Sequence, residues 1–283
     1  MLVNFKTMIN EAVDKDYAIA GFNVFGYEDA TAVVRAAESL NAPVMLMTNK
    51  VAVDHMPVEV LAAILCKVAE QAKVPVCVHL DHAKELGLIA RAIKAGYSSV
   101  MYDGSQLPLE ENIKNTQEVV KFAHACGVSV EAEIGSVGYS DQPGHEQSVY
   151  TEPAEAEKFA EETGVDALAV AIGTVHRMQV QNANIQFDRL KAIQQVVKMP
   201  LVIHGSTGIT DEDLQKVASC RVGKINIGTA LRLVFGNVLR EEMNKDPEAF
   251  DRVKLFQKPM EKVEQEAKHK MLLLRCKDVL SKK

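Results

Sequence analysis

The segment Val74-Pro-Val-Cys-Val-His-Leu-Asp-His82 is a short apolar, β-branched run that ends in polar side chains. Two further runs have the same form: residues 167–172 precede Gly173-Thr-Val-His176, and residues 200–203 precede His204. Continuous apolar runs of this length are typical of strands that are buried on both faces of a parallel sheet. Each of three histidines therefore stands just beyond the end of a predicted buried strand.

Strand-like runs of this kind alternate with helical patterns along the chain. The eight runs are residues 17–23, 42–47, 74–80, 97–102, 127–132, 166–172, 200–204 and 222–227. The helical patterns between them are residues 27–40, 58–72, 85–95, 111–126, 153–163, 187–197 and 211–219. Eight alternations without a linker-like stretch predict an α/β fold, a single (β/α)8 TIM barrel domain over residues 1–283, with a helical extension from about residue 230.

The composition argues against several classes of protein. Hydrophobic residues make up 47% of the chain, which is enough for a large buried core. A net charge of -6 gives no basic surface for nucleic acid, and no run is long enough to span a membrane. The five cysteines are scattered without CxxC spacing, so neither a disulfide framework nor a thiolate metal site is predicted. Because there is no signal-peptide pattern, we expect a cytoplasmic protein.

His82, His176 and His204 are candidate metal ligands. In a TIM barrel the carboxyl ends of all the strands meet at one face, so these three side chains are expected to converge there. Three imidazoles that leave a fourth position open form a catalytic rather than a structural zinc set. A lone histidine after a strand is more often only hydrogen-bonded in a loop, and the prediction depends on three in equivalent positions.

Carboxylates stand at the same strand ends. Asp81 directly precedes His82, so one side chain can bind metal while the other transfers protons. Orienting the histidine is the alternative role for Asp81. Asp103, Glu131 and Glu133 are also predicted at strand ends, and we expect them either to supply a second metal position or to fix the ligand histidines.

Two loops of small residues follow the seventh and eighth predicted strands. Their sequences are His204-Gly-Ser-Thr-Gly208 and Asn226-Ile-Gly-Thr229. Hydroxyl groups and free backbone N–H groups suit a phosphate, and barrels often bind phosphate in these two loops, next to a helix N-terminus. The sequence therefore predicts a phosphate site beside the metal site.

Together these motifs resemble the class II, zinc-dependent ketose-phosphate aldolases of the fructose- and tagatose-bisphosphate type. The resemblance covers nearly the whole chain, and its most specific elements are the HxDH segment at 79–82 and the ExEIG segment at 131–135. The other matching segments are Gly21-Phe-Asn-Val24, Asp103-Gly-Ser105, Leu107-Pro108, Glu110-Glu-Asn112, residues 164–174 and Lys224-Ile-Asn226. The resemblance implies a lyase that reversibly cleaves a ketose (bis)phosphate to dihydroxyacetone phosphate and an aldehyde.

The resemblance also implies roles for individual residues. A zinc ion on His82, His176 and His204 would chelate the enediolate of dihydroxyacetone phosphate, and a monovalent cation is a further expected cofactor. Asp81 would serve as acid and base at the hydroxyl formed from the aldehyde, while Asp141, in the loop after the fifth strand, would move the carbon-bound proton. The substrate and its phosphate would contact Asn23, Gly205, Ser206, Thr207, Asn226, Ile227, Gly228 and Thr229. We expect a homodimer or homotetramer, with residues 247–280 as a helical contact.

The chain departs from the family at several positions. Asp141 is one methylene shorter than the usual glutamate, which leaves Glu146 as a second candidate for the loop base. Arg177 stands where relatives carry glycine, and the second strand ends in Thr48-Asn-Lys50 instead of a small-residue loop. We expect Thr48, Lys50 and Arg177 to contact the substrate and to select an anionic aldehyde, such as the sulfonated one in 6-deoxy-6-sulfofructose 1-phosphate. The alternative for the two cations is solvation at the surface.

Two other functions fit parts of the sequence. Lys224, on the eighth predicted strand, is a candidate for Schiff-base formation of the class I aldolase type, although the three histidines would then have no role. A non-catalytic sugar-phosphate-binding relative is the other alternative. Retention of Asp81 with all three histidines argues against it.

Overall fold

Eight parallel strands close into a barrel in the computed structural model, which describes residues 1–141, 143–144 and 147–280. In order around the barrel they are β1 (Ile19–Asn23), β2 (Val44–Thr48), β3 (Val76–Ala83), β4 (Ser99–Tyr102), β5 (Ser129–Ile134), β7 (Ala167–Val170), β9 (Leu201–Ile203) and β10 (Val222–Ile227). Pairing of β10 with β1 completes the closure. The two remaining strands, β6 (Gly138–Tyr139) and β8 (Val175–His176), pair with each other in parallel. The predicted (β/α)8 TIM barrel is confirmed.

Helices cover the outside of the barrel, and this explains why the barrel strands are almost entirely buried. The predicted strand bounds lie within about three residues of the observed ones, and the seven predicted helices within about two. The helices are α1 (Phe5–Asp14), α2 (Tyr27–Ser39), α3 (Lys50–His55), α4 (Val58–Gln71), α5 (Leu86–Ala95), α6 (Leu109–Ala125), α7 (Pro153–Thr163), α8 (Phe187–Val196), α9 (Asp211–Ala218), α10 (Thr229–Lys245) and α11 (Arg252–Leu273).

The sequence patterns did not predict α1. This helix packs against the barrel at β10 and buries one apolar face that includes Phe5 and Ile9. The contact is close because Gly223 has no side chain: a Cβ there would lie 2.3 Å from Cγ1 of Ile9. The short helix α3, directly after β2, was also not predicted.

The predicted helical extension is present, but it is divided into two helices. Residues 246–251 separate α10 from α11, and Asp251 caps α11 by accepting from the N–H groups of Val253 and Lys254. The second half of α11 buries Val263, Ala267 and Met271 within its own chain. The predicted contact stretch 247–280 is therefore partly used inside the subunit. Within the described residues, no helix combines the length and the apolar character that crossing a membrane requires.

Candidate metal centre and active site

The three predicted ligand histidines meet at the carboxyl-terminal face of the barrel. His82 lies near the end of β3, His204 follows β9, and His176 lies on β8 in the connection after β7. Ring centroids are separated by 4.7 Å for His82 and His204, 5.1 Å for His82 and His176, and 6.0 Å for His176 and His204. One nitrogen from each ring lies within 4.8 Å of the other two, a spacing compatible with one shared metal ion.

Two of the histidines are oriented by buried carboxylates. Asp103 Oδ2 lies 2.8 Å from Nδ1 of His82, and Glu131 Oε1 lies 2.8 Å from Nε2 of His204. The opposite nitrogens, Nε2 of His82 and Nδ1 of His204, then face each other at 2.9 Å. Metal-binding histidines have this arrangement, with the outer nitrogen hydrogen-bonded to a carboxylate and the inner one directed at the ion. The donor set therefore fits a metal such as zinc.

The backbone at His82 is in an unusual conformation. His82 has a φ of 52°, in the left-handed region, and the β3–β4 register shifts between Leu80 and Ala83. For a residue other than glycine, such a conformation costs free energy and often occurs at functional sites. Here it turns the imidazole away from the strand and toward His176 and His204.

The charges around the histidines favour a cation among them. Burial favours the neutral form of His82, but the carboxylates of Asp81 and Asp103 raise the pKa of His82 to about 10. Burial and the neighbouring His82 lower the pKa of His176, and burial lowers that of His204, which favours the neutral form of both rings. Neutral imidazole is the form that binds a metal, and a divalent ion would satisfy the same carboxylates as the proton on His82.

Asp81 is held beside the histidines by two amides. Nδ2 of Asn23 donates to Oδ2 of Asp81 at 2.9 Å, and Nδ2 of Asn226 donates to Oδ1 at 3.2 Å. Although burial opposes it, the charge on the nearby His82 lowers the pKa of Asp81 to about 2, so the carboxylate is ionised and can accept a proton. The structure thus places the two predicted substrate-binding asparagines against Asp81.

Glu133 and Asp103 form a second candidate metal-binding group together with His82. Glu133 is buried, and its Oε2 atom has no hydrogen-bond partner among the described residues, although it lies 3.5 Å from Nδ1 of His204. Burial, followed by the charge of Asp103, raises the pKa of Glu133 to about 8. His82 belongs to both candidate groups, and Asp103 also orients it through Nδ1.

Lys224 lies on β10, two residues before Asn226, and is fully buried. Its Nζ atom is 2.5 Å from Oε2 of Glu131, the carboxylate that also holds His204. The Lys224 charge offsets the burial of Glu131 and keeps the pKa of that carboxyl well below its usual range. The ion pair therefore helps to keep Glu131 in position against His204.

The predicted phosphate loops form one wall of the cavity at the barrel mouth. The lining residues include Gly205, Ser206, Thr207, Gly228 and Thr229. Because α10 begins at Thr229 without a side-chain cap, its first N–H groups remain available to an anion. By contrast, Ile227 is buried in the core, so only its backbone can contribute to such a site.

Arg232 lines the same cavity from the first turn of α10 and was not predicted as a site residue. Its guanidinium lies 5.3 Å from the ring centroid of Phe25, and none of the described carboxylates forms an ion pair with it. A sequence signal was available, since Arg232 follows the phosphate loop ending at Thr229 by about one helical turn.

The sequence predicted that Lys50, Arg177 and the Thr48 hydroxyl contact the substrate. All three have partners within the protein. Lys50 lines the cavity, but its Nζ atom pairs with Oδ2 of Asp54 at 2.6 Å, and NH1 of Arg177 pairs with Oδ2 of Asp141 at 2.8 Å. Thr48 is fully buried, and its Oγ1 atom hydrogen-bonds the hydroxyl of Tyr97 at 2.7 Å. The structure therefore brings Lys50 and Arg177 to the cavity, but not the Thr48 hydroxyl.

The loop after β5 runs beside His176. Tyr139, on β6, stacks on the His176 ring, with centroids 4.6 Å apart and an interplanar angle of 25°. Asp141 follows it and is half-exposed in its ion pair with Arg177. Glu146, the second candidate for the loop base, lies outside the described residues.

Comparison with known proteins agrees with this geometry. The family model described as "Fructose-bisphosphate aldolase class-II" matches residues 3–279. The chain belongs to the class II fructose-bisphosphate aldolase family. Members of this family are lyases that act on small phosphorylated substrates and generally depend on a metal ion, so the resemblance inferred from the motifs is confirmed.

The chain is also similar to solved structures of aldolases. The YdjI aldolase from Escherichia coli K12 is 34% identical with a TM-score of 0.86, and the match covers 98% of this chain and 99% of that one. A putative fructose-1,6-biphosphate aldolase from Coccidioides immitis is 27% identical with a TM-score of 0.87, with 97% of each chain covered. Fructose-bisphosphate aldolase from Campylobacter jejuni, at 24% identity and a TM-score of 0.85 over 99% of this chain and 97% of that one, shares the fold.

Proposed function

We propose that this protein is a zinc-dependent aldolase that reversibly cleaves a ketose 1-phosphate to dihydroxyacetone phosphate and an aldehyde. The observation that carries the proposal is the inward-facing pair of nitrogens on His82 and His204, next to His176 and the ionised Asp81. His82, His176 and His204 would hold the ion. When bound, zinc would act as a Lewis acid that stabilises negative charge on the oxygens of the three-carbon product.

Two carboxylates would move the protons. Asp81, oriented by Asn23 and Asn226, would remove the hydroxyl proton of the substrate as the carbon–carbon bond breaks, and would return it during addition. Asp141 or Glu146 would protonate the carbon of the three-carbon fragment. Asp141 is supported by its place on the loop that packs against His176, where Arg177 holds it.

The phosphate would bind on the wall formed by Gly205, Ser206, Thr207, Gly228 and Thr229. Backbone N–H groups and the N-terminus of α10 supply donors there, and Arg232 adds a positive charge. Asn23 and Asn226 would contact substrate from the Asp81 side.

The second half of the substrate is proposed to be anionic. Fructose or tagatose bisphosphate and 6-deoxy-6-sulfofructose 1-phosphate are the candidates, and the relative from Coccidioides immitis is described as a putative fructose-1,6-biphosphate aldolase. The cations Lys50 and Arg177 on the cavity wall support an anionic substrate. A cytoplasmic homodimer or homotetramer, with a monovalent cation as an additional cofactor, completes the proposal.

The experiment is cleavage of a panel of ketose phosphates, with release of dihydroxyacetone phosphate coupled to NADH oxidation. We expect EDTA to abolish the release and zinc to restore it, and the panel then ranks the anionic groups. Cleavage that resists EDTA but is lost after borohydride treatment with substrate would assign the reaction to Lys224. No release from any substrate, together with binding of the sugar phosphates, would support the non-catalytic alternative.

A further inference from the structure

His176 differs from the other two histidines in what surrounds its ring. His82 and His204 each have a carboxylate on the outer nitrogen, at 2.8 Å in both cases. Among the described residues, the His176 ring makes no hydrogen bond, and its contacts are with the other two imidazoles and with Tyr139. A ligand histidine without a hydrogen-bonded partner needs another means of fixing its ring.

The stack with Tyr139 is supported by the backbone. Tyr139 is the register partner of His176, and Gly138 is the partner of Val175 in the β6–β8 pair. The N–H of Ser140 also donates to the carbonyl of His176 at 3.0 Å. Because the two strands are joined on both sides of the stacked rings, the rings are held face to face.

The guanidinium of Arg177 packs on the ring of Tyr139. The Arg177 guanidinium lies 5.4 Å from the Tyr139 ring centroid, and its NH1 atom is 2.8 Å from Oδ2 of Asp141. Arg177 directly follows His176 and has a φ of 59°, in the left-handed region. With this backbone conformation, the Arg177 side chain lies over the Tyr139 ring. The order of groups is therefore His176, Tyr139, Arg177 and Asp141.

We propose that Tyr139 is the positioning residue for His176, and that ring stacking serves for this ligand as the carboxylates serve for His82 and His204. The inference relies on the proposed function, since it assumes that the three histidines share a metal ion. Stacking limits rotation of the imidazole and keeps one nitrogen directed at the other two rings. Arg177 and Asp141 then act as a clamp on Tyr139.

The test measures zinc affinity and the absorption spectrum of the cobalt-loaded chain, not only activity. Tyr139→Phe keeps the stack, and we expect the wild-type zinc affinity and spectrum. Tyr139→Leu and Tyr139→Thr remove it, and we expect zinc affinity to fall about tenfold, as measured by competition with a chromogenic chelator, with altered cobalt bands. Two replacements are used so that a folding defect in one leaves the other to decide.

Tyr150→Leu is the matched control, because Arg189 lies 5.4 Å from the Tyr150 ring centroid, in the same kind of pair outside the histidine cluster. It should leave zinc affinity unchanged. Wild-type affinity and spectrum in both Tyr139→Leu and Tyr139→Thr would overturn this inference alone. A wild-type chain that binds no zinc would overturn the proposed function and this inference with it.

Discussion

At the scale of single residues, Asp81 is the group whose chemistry the structure defines most sharply. Both of its oxygens accept from amides, and its pKa is lowered to about 2, so it is a charged acceptor over the physiological pH range. We expect Asp81→Asn to lower kcat by roughly 10²–10⁴-fold, because the amide cannot accept a proton. Zinc content should be unchanged, since the three histidines remain.

The measurement is single-turnover cleavage with zinc content determined on the same sample. Asp188→Asn is the control, an identical change at a fully exposed site on α8, and it should retain wild-type activity. Cleavage by Asp81→Asn at near the wild-type rate would contradict the assignment.

The sequence located Asp81 and the histidines because each follows a buried strand, a position that periodicity can predict. It did not indicate that Asn23 and Asn226 hold Asp81, because those contacts join residues 58 and 145 positions apart. The sequence also did not predict the stack of Tyr139 on His176. The two strands that carry these residues have two residues each, too few to show a period.

At the scale of elements, the N-terminus of α10 joins the phosphate wall to the catalytic carboxylate. A Cβ at Gly228 would lie 2.7 Å from Oδ1 of Asn23, the residue whose amide holds Asp81. We expect Gly228→Ala to lower kcat/KM by roughly 10- to 100-fold through displacement of Asn23. Steady-state cleavage of the best ketose phosphate measures the effect.

Gly236→Ala is the matched control within α10. A Cβ there meets no atom within 4 Å, and alanine should raise the free energy of unfolding by about 0.5–1 kcal/mol because it favours the helix. Urea unfolding tests this control. Equal kcat/KM for the two variants would show that the close approach at Gly228 has no functional consequence.

The elements between strands were predictable because each begins and ends at a change of period or at a capping residue. The helix α1 was missed although its signals are local: Asn4 caps its first turn, and the buried residues Phe5, Met8, Ile9 and Ala12 recur at helical spacing. The division of the C-terminal extension depends on packing between distant segments, because α11 packs against both α10 and α2.

At the scale of the whole molecule, the turn between α10 and α11 and the first turn of α11 expose apolar side chains that their own chain does not cover. Phe250 is 93% exposed and Val253 is 72% exposed. Neighbouring exposed apolar side chains of this size are typical of association surfaces. We therefore expect an oligomer, and we expect Phe250→Ser combined with Val253→Ser to shift it to the monomer at the same protein concentration.

Light scattering coupled to size-exclusion chromatography measures the mass of each form. Val60→Ser, at a 47% exposed position on α4, serves as the control and should keep the wild-type mass. Both replaced side chains are largely solvated within one chain, so their replacement should not destabilise the monomer. The double variant should therefore unfold at nearly the same urea concentration as wild type that has been diluted until it is monomeric. A monomeric wild type would exclude the oligomer. A double variant with unchanged mass would place the contact elsewhere.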